Sequence, residues 1–227
     1  MRHPNRVTAL ALYPLFLASS YPGLGLMAAQ GQSWAAWETR AYSWSDANGD
    51  GRIELSELQD GGFTFPHGRS RPSNLASLTS DLEIARSFTV TALLDHVGGF
   101  DVYDLTSYRQ CAGGVCPALN DPGASLSDQA RAVLAASRVG SSGYLVPGDA
   151  TRLRELSLSW HSLRAASMLH ASSARVTLAG YDLATWTRTR GIHPETDVPA
   201  PGYRGDLTWN VVQPIPRTFA LRVALGL

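Results

Sequence analysis

The stretch Asp46–Glu57 reads Asp-Ala-Asn-Gly-Asp-Gly-Arg-Ile-Glu-Leu-Ser-Glu. Oxygen-bearing side chains recur at loop positions 1, 3, 5, 9 and 12, filled here by Asp46, Asn48, Asp50, Glu54 and Glu57. Gly51 stands at position 6, where the chain must turn sharply, and Ile53 at the apolar position 8. A hard cation such as Ca²⁺ takes about six to eight oxygens at this spacing. The Arg52 carbonyl would add one and Glu57 both of its carboxylate oxygens. Every constrained position is filled, so the chemistry expected here is structural Ca²⁺ binding by a loop. An acidic solvated turn is the alternative.

A second pair of residues could do covalent chemistry. Cys111 and Cys116 enclose Ala-Gly-Gly-Val in a segment rich in Gly and Pro. A short flexible loop between them suits a disulfide in an oxidising compartment, with two free thiols as the other reading. Zinc fits poorly, because no further His or Cys lies nearby. Catalysis finds little support: there is no Gly-x-Ser-x-Gly elbow, no His-Glu-x-x-His and no phosphate loop. His161 beside Ser159 and Ser162 reads as a strand residue, and Asp101 with Asp104 as solvated carboxylates.

The totals narrow the class of protein. Nineteen basic and nineteen acidic residues leave no net charge on 227 residues, which argues against a nucleic-acid partner bound by phosphate neutralisation. Charged residues make up 17% of the chain, below the usual quarter of a soluble globule. A chain poor in charge, rich in small polar residues and lacking one long apolar run hints at a membrane β-barrel. At the amino end Arg2 and Arg6 precede the mostly apolar 7–29, loosely like a signal peptide. Pro14, Pro22, Gly23 and Gly25 break that run, so interrupted strands and turns are expected there.

The elements that must carry these residues follow from periodicity. Trp34, Trp37 and Trp44 fit either a helix entering the loop or interfacial aromatics on strands. After Glu57, Asp60-Gly61-Gly62 cuts short any exiting helix, and no second loop of the same kind occurs. From Leu75 onward the period is two. Strands are expected over 76–85, 87–95, 100–108, 153–161 and 174–183, each with one apolar and one polar face. Gln110–Ser125 reads as a loop, and Ser125 or Ser127 can cap one short helix over 128–138. A polar, Pro-rich connection runs from about Thr187 to Arg217. Thr218–Leu227 then alternates strictly, at the length of a tilted bilayer-spanning strand, ~9–11 residues.

These segments resemble a family. Leu153–Trp160, Ser173–Trp186, Gly191-Ile192-His193-Pro194-Glu195 and the terminal Pro214–Leu227 look like the closing strands of SusC/RagA-type TonB-dependent outer-membrane receptors. Ala118–Pro122 and Gln129–Val133 resemble one branch of that family, in which the Asp-Ala-Asn-Gly-Asp-Gly loop also recurs between barrel strands. The resemblance runs from about Tyr42 to the carboxyl end. It departs at Tyr181-Asp182 (Arg-Asn in the family), at His193 (commonly Asp) and at Leu227 (usually Phe).

The resemblance implies an all-β fold: an antiparallel transmembrane β-barrel segment of about eight strands, incomplete, with long loops and one short helix. It divides the chain into 1–45, weakly assigned strands and loops; 46–57, the Ca²⁺-type loop; and 75–227, barrel strands. It implies transport, with uptake of glycans or peptides across the bacterial outer membrane. The expected surroundings are outer-membrane lipids, with TonB and a SusD-like surface lipoprotein as partners. The family's plug and TonB-contacting box have no counterpart here, so Met1 is expected to be a fragment start or an internal start codon. A secreted EF-hand-like calcium-binding module is the alternative. It would need flanking helices or a second loop.

Overall fold

The computed structural model describes residues 6–10, 15–21, 24–137, 142–168, 170–189, 208–209 and 215–226. Its first strands are β1 (Leu15–Tyr21), β2 (Leu24–Ala28), β3 (Ala36–Trp44) and β4 (Leu58–Arg69), which pair antiparallel in that order. β5 (Asn74–Ile84) and β6 (Phe88–Gly98) follow as a tight hairpin. An insert then carries β7 (Asp101–Asp104), α1 (Leu105–Ala112), α2 (Pro117–Asn120), α3 (Leu126–Ala136) and β8 (Leu145–Pro147). The chain closes with β9 (Ala150–His161), α4 (Leu163–Met168), β10 (Ser173–Thr187), β11 (Thr208–Trp209) and β12 (Thr218–Gly226).

The long strands form a second antiparallel sheet in the order β12-β10-β9-β6-β5. Polar and apolar residues alternate along each of its strands, the pattern of a ribbon with two unlike faces. Its connections differ sharply at the two ends. The insert and the β10–β12 connection leave from one end; the β5–β6 turn, the α4 connection and the end of β12 lie at the other. β4 and β5 are joined only by 70–73, yet they do not pair, so the chain passes there from the first sheet to the second. Among the described residues neither sheet closes on itself: β5 and β12 stand at the edges of one, β1 and β4 at the edges of the other.

The packed core lies between the first sheet and the insert, not under the long strands. Leu24, Leu26 and Trp37 meet Tyr103, Leu105, Tyr108, Ala132 and Tyr144 in one buried cluster. Trp37 is fully buried and its indole Nε1 donates to the Asp101 carbonyl at 2.9 Å, satisfying the ring's polar atom. Tyr108 stacks edge-on against Tyr144 at 5.7 Å. Cys111 and Cys116 form a disulfide inside this cluster, stapling the end of α1 to the start of α2.

The structure corrects several sequence expectations. Only Asp101–Asp104 of the expected 100–108 strand is extended; from Leu105 the chain is helical, because the Asp104 carboxylate accepts from the Ser107 amide at 2.9 Å and caps α1. The helix expected over 128–138 is α3, started earlier by Ser125, whose hydroxyl accepts from the Asp128 amide at 3.2 Å. Instead of one short helix, the described residues hold α1 to α4, and the expected loop 110–125 contains α2. Three of the strands, β7, β8 and β11, are only two to four residues long and form a separate small sheet. The tryptophans near the loop lie on or beside β3, a strand rather than a helix. The all-β, antiparallel class holds, with one exception in the parallel pairing of the two-residue β11 with β7. Gly191–Glu195 and Leu227 lie outside the described residues.

Candidate functional site

The Asp46–Glu57 loop is the connection between β3 and β4. No helix enters it, and it leaves through a single 3-10 turn, Leu55–Glu57, into a strand. The helix-loop-helix alternative is therefore not what this chain builds. Gly49 and Gly51 have φ of +72° and +77°, the left-handed turns the loop needs.

Within the loop the expected residues are drawn together by hydrogen bonds to backbone amides. Asp46 Oδ1 accepts from Gly49 and Asp50 at 2.8 and 3.2 Å, and its Oδ2 from Gly51 at 3.1 Å. Asn48 Oδ1 accepts from the Asp50 amide at 3.0 Å, and Asp50 Oδ1 from the Arg52 amide at 2.8 Å. Glu57 folds back across the loop: Oε1 accepts from Ala47 at 2.8 Å and Oε2 from Glu54 at 3.1 Å. Glu54 and Arg52 are exposed. The donor set is all oxygen, which suits a hard cation. Among the described residues no group of three or more His, Cys, Asp or Glu could hold a metal ion. The loop's carboxylates are engaged by backbone amides instead of being gathered into one such group.

Beside the loop, Arg40 on β3 grips Asp60 on β4, donating through Nε at 2.7 Å and through a second guanidinium nitrogen. That guanidinium and the Gly62 amide hold the Asp60 carboxyl down to about 2. Burial pushes the Tyr144 and Tyr42 hydroxyls above the ordinary phenol range.

A different surface lies on the second sheet. Register aligns its strands into apolar rows: Ile84–Phe88–Trp160–Val176–Val223, then Leu82–Val90–Leu158–Leu178–Leu221, then Ser80–Ala92–Leu156–Gly180–Phe219, then Leu78–Leu94–Leu153–Ala184. The face is open. Leu78 is 62% exposed, Leu178 55%, Leu221 70% and Phe219 70%. Its area is on the order of 600 Å², from ~4.8 Å per strand and ~3.4 Å per residue, the upper end of what a soluble monomer leaves bare. Aromatics stand at both limits, with Phe88 and Trp160 in the first row and Trp186 beyond the last, in the row of His96 and Thr151.

The opposite face is polar. Its rows are Glu83–Thr89–Ser159–Thr177–Arg222 and Asp81–Thr91–Ser157–Ala179–Ala220, tied across strands by Thr91 donating to Asp81 at 2.6 Å and by the Ser159–Thr177 pair at 2.8 Å. His161 lies at the end of β9, where its amide donates to the Ser87 carbonyl at 2.9 Å. A bulge at Arg154 and Asp182 breaks the register of β9 with both neighbours. It lets Arg154 bridge Asp95 at 2.6 Å and Asp182 at 3.5 Å. Among the described residues no helix is long and apolar enough to cross a membrane, which says nothing of strands.

No protein-family model matches the sequence, and no curated protein matches it either. Solved structures do. The RagAB peptide importer in its "closed-closed" state superposes with a TM-score of 0.68 over 95% of this chain at 13% identity. The "open-open" state gives 0.68 over 98% at 14%, and a RagAB peptide transporter structure gives 0.66 over 97% at 16%. The chain shares their fold. It spans about a quarter of the matched chains' length, 25% or 26%. Identity this low speaks to the fold alone. It agrees with the fold the family resemblance implied, on different grounds: that resemblance rested on short motifs, whereas this one rests on the path of the whole backbone.

Two residue sets escaped the sequence. The apolar rows needed strand pairing across the insert, since β6 and β9 are neighbours in space but far apart in the chain. Gln129, buried in α3, bonds to the loop, and no periodicity marks it.

Proposed function

We propose that this chain is a stretch of barrel wall and rim from a SusC/RagA-type TonB-dependent receptor that takes nutrients up across the bacterial outer membrane. The observation that carries the reading is the open apolar face of the second sheet, bounded by aromatics and backed by a polar face. Lipid tails would cover the first and the barrel lumen would lie against the second. The longer connections at one end of the sheet suit the cell exterior, and the tight turn and the end of β12 suit the periplasm. The insert and the first sheet would then stand outside the bilayer.

For the whole receptor the reading brings TonB and a SusD-like surface lipoprotein as partners, and glycans or peptides as cargo. The similar structures are of a peptide importer and a peptide transporter, so peptides are the class to test first. We read Asp46–Glu57 as a structural Ca²⁺ loop at the outer rim, where a hard cation would bring its carboxylates together and stiffen the β3–β4 tip.

The test is partition. The full chain is added to lipid vesicles, floated on a density gradient, and run on cold electrophoresis with and without heating. The reading expects the protein to float with the vesicles and to shift in mobility on heating. Protein that stays in the aqueous fraction and shows no shift refutes it. Calorimetric titration with calcium tests the loop: the wild type should release or take up heat saturably, and Asp46→Asn should not.

A further inference from the structure

At the tight-turn end of the second sheet two connections lie side by side, because β6 pairs with β9 and the His161 amide donates to the Ser87 carbonyl. They are built differently. The β5–β6 turn needs only 85–87, whereas β9 reaches β10 through 162–172, with the helix α4 on the way. That longer connection is docked. The Ser162 amide donates to the Ala174 carbonyl at 3.0 Å and the Ser172 amide to the Gly226 carbonyl at 2.7 Å, which ties its two ends to β10 and β12. Between them α4 packs against β10, and Ala166 is 1% exposed.

The side chains that α4 turns outward do not suit water. Met168 is 81% exposed and Leu163 73%, the two barest large apolar side chains among the described residues. On the 3.6-residue period Leu163, Ser167, Arg164 and Met168 follow one another across one arc of about 140°, away from Ala166. A docked helix that holds two large apolar groups outward points to apolar surroundings, since removing such groups from water is favourable. The apolar rows of the sheet run out at the same end, where Ile84, Phe88 and Leu225 are also exposed. Two cations accompany them. Arg86 in the β5–β6 turn and Arg164 in α4 are exposed, and among the described residues neither is in an ion pair. An arginine's apolar stem and charged tip fit the level where lipid tails give way to phosphates.

We propose that the α4 connection is a foot in the headgroup layer of the leaflet next to the periplasm, with Leu163 and Met168 among the first methylenes of the tails and Arg86 and Arg164 on the phosphates of anionic phospholipid. The inference rests on the barrel-wall reading above. It adds that the sheet ends in a docked element selective for lipid charge, so that headgroup chemistry as well as bilayer thickness sets the depth of the chain.

The experiment uses the full chain in vesicles of phosphatidylcholine, with or without phosphatidylglycerol. Met168→Cys and Leu221→Cys are each labelled with a nitroxide, the Cys111–Cys116 bridge being left oxidised, and depth is read from collisions with oxygen against those with a water-soluble nickel chelate. The Leu221 label should lie deep among the tails and the Met168 label at headgroup level. Flotation then compares the wild type with the double variant Arg86→Gln, Arg164→Gln. The two should partition equally into phosphatidylcholine alone. Phosphatidylglycerol should strengthen partition of the wild type about 25-fold more than that of the double variant, about fivefold for each arginine. A Met168 label in water beside a Leu221 label in lipid overturns the foot and leaves the barrel wall standing; both labels in water overturn both. An equal gain from phosphatidylglycerol in wild type and double variant overturns the role of the arginines. Inorganic phosphate that abolishes the gain, where sodium chloride of the same ionic strength does not, makes the pair a site for free anions and overturns the lipid assignment.

Discussion

Arginine placed at Ala92 gives the sharpest test of which solvent the second sheet faces. Ala92 lies on β6 midway between Phe88 and His96, in the row of Ser80, Leu156 and Gly180. From Phe88 to His96 the strand runs ~27 Å at ~3.4 Å per residue. A strand tilt of ~40° makes that ~21 Å of height, close to the ~25 Å apolar band of an outer-membrane barrel. Ala92 would then sit ~10 Å from either edge of the band, near the midplane. Arginine there costs ~2–4 kcal/mol in lipid, falling to ~0–1 at the interfaces. Ala92→Arg should therefore lower vesicle insertion by roughly 30- to 1,000-fold, whereas Phe88→Arg at the rim should lower it by about fivefold or less. Thr91→Arg is the matched control, one residue away on the polar face and beside Asp81. The assay is urea titration of the chain in vesicles, scored by the heat shift. On a face exposed to water, all three substitutions would fall within about 0.5 kcal/mol of one another. That equality would refute the membrane assignment of the apolar rows.

Other consequences can be checked separately. Replacing both cysteines, Cys111→Ser with Cys116→Ser, reopens a short loop and should cost the insert about 2 kcal/mol by loop-closure entropy, read by denaturant unfolding of the oxidised and reduced protein. Ala85 and Arg86 in the β5–β6 turn have φ of 51° and 58°, a left-handed conformation costly for side-chain-bearing residues. Arg86→Gly should accordingly stabilise the hairpin by about 1 kcal/mol, and a destabilised variant in the same unfolding assay would count against that account. The Arg40 guanidinium and the Gly62 amide hold the folded Asp60 carboxyl down to about 2, from 3.8. A depressed carboxylate adds stability that is fully present above pH about 4 and disappears as pH falls through about 2. Acid titration of wild type against Asp60→Asn should therefore diverge above pH 4 and converge near pH 2; parallel curves would remove the Arg40–Asp60 pair as a contributor.

Local pattern carried much of this protein. The alternation in Thr218–Gly226, in Leu153–His161 and along 76–84 and 88–95 determined that these segments are strands with unlike faces, because a two-residue period needs no tertiary information to show which side chains share a face. The polar side chains of Asp46, Asn48, Asp50 and Glu57 likewise shape their turn locally, since their bonds to backbone amides are closed within the loop itself. The helix at Leu105 was lost in a segment whose apolar spacing suits either element; a single cap at Asp104 decided it. Tertiary structure alone decided the rest. It set β6 against β9 across a helical insert, turning separate amphipathic strands into one continuous apolar face. It also brought Gln129 to Ile53, because a buried amide must find its partner wherever the fold supplies one, at whatever distance along the chain.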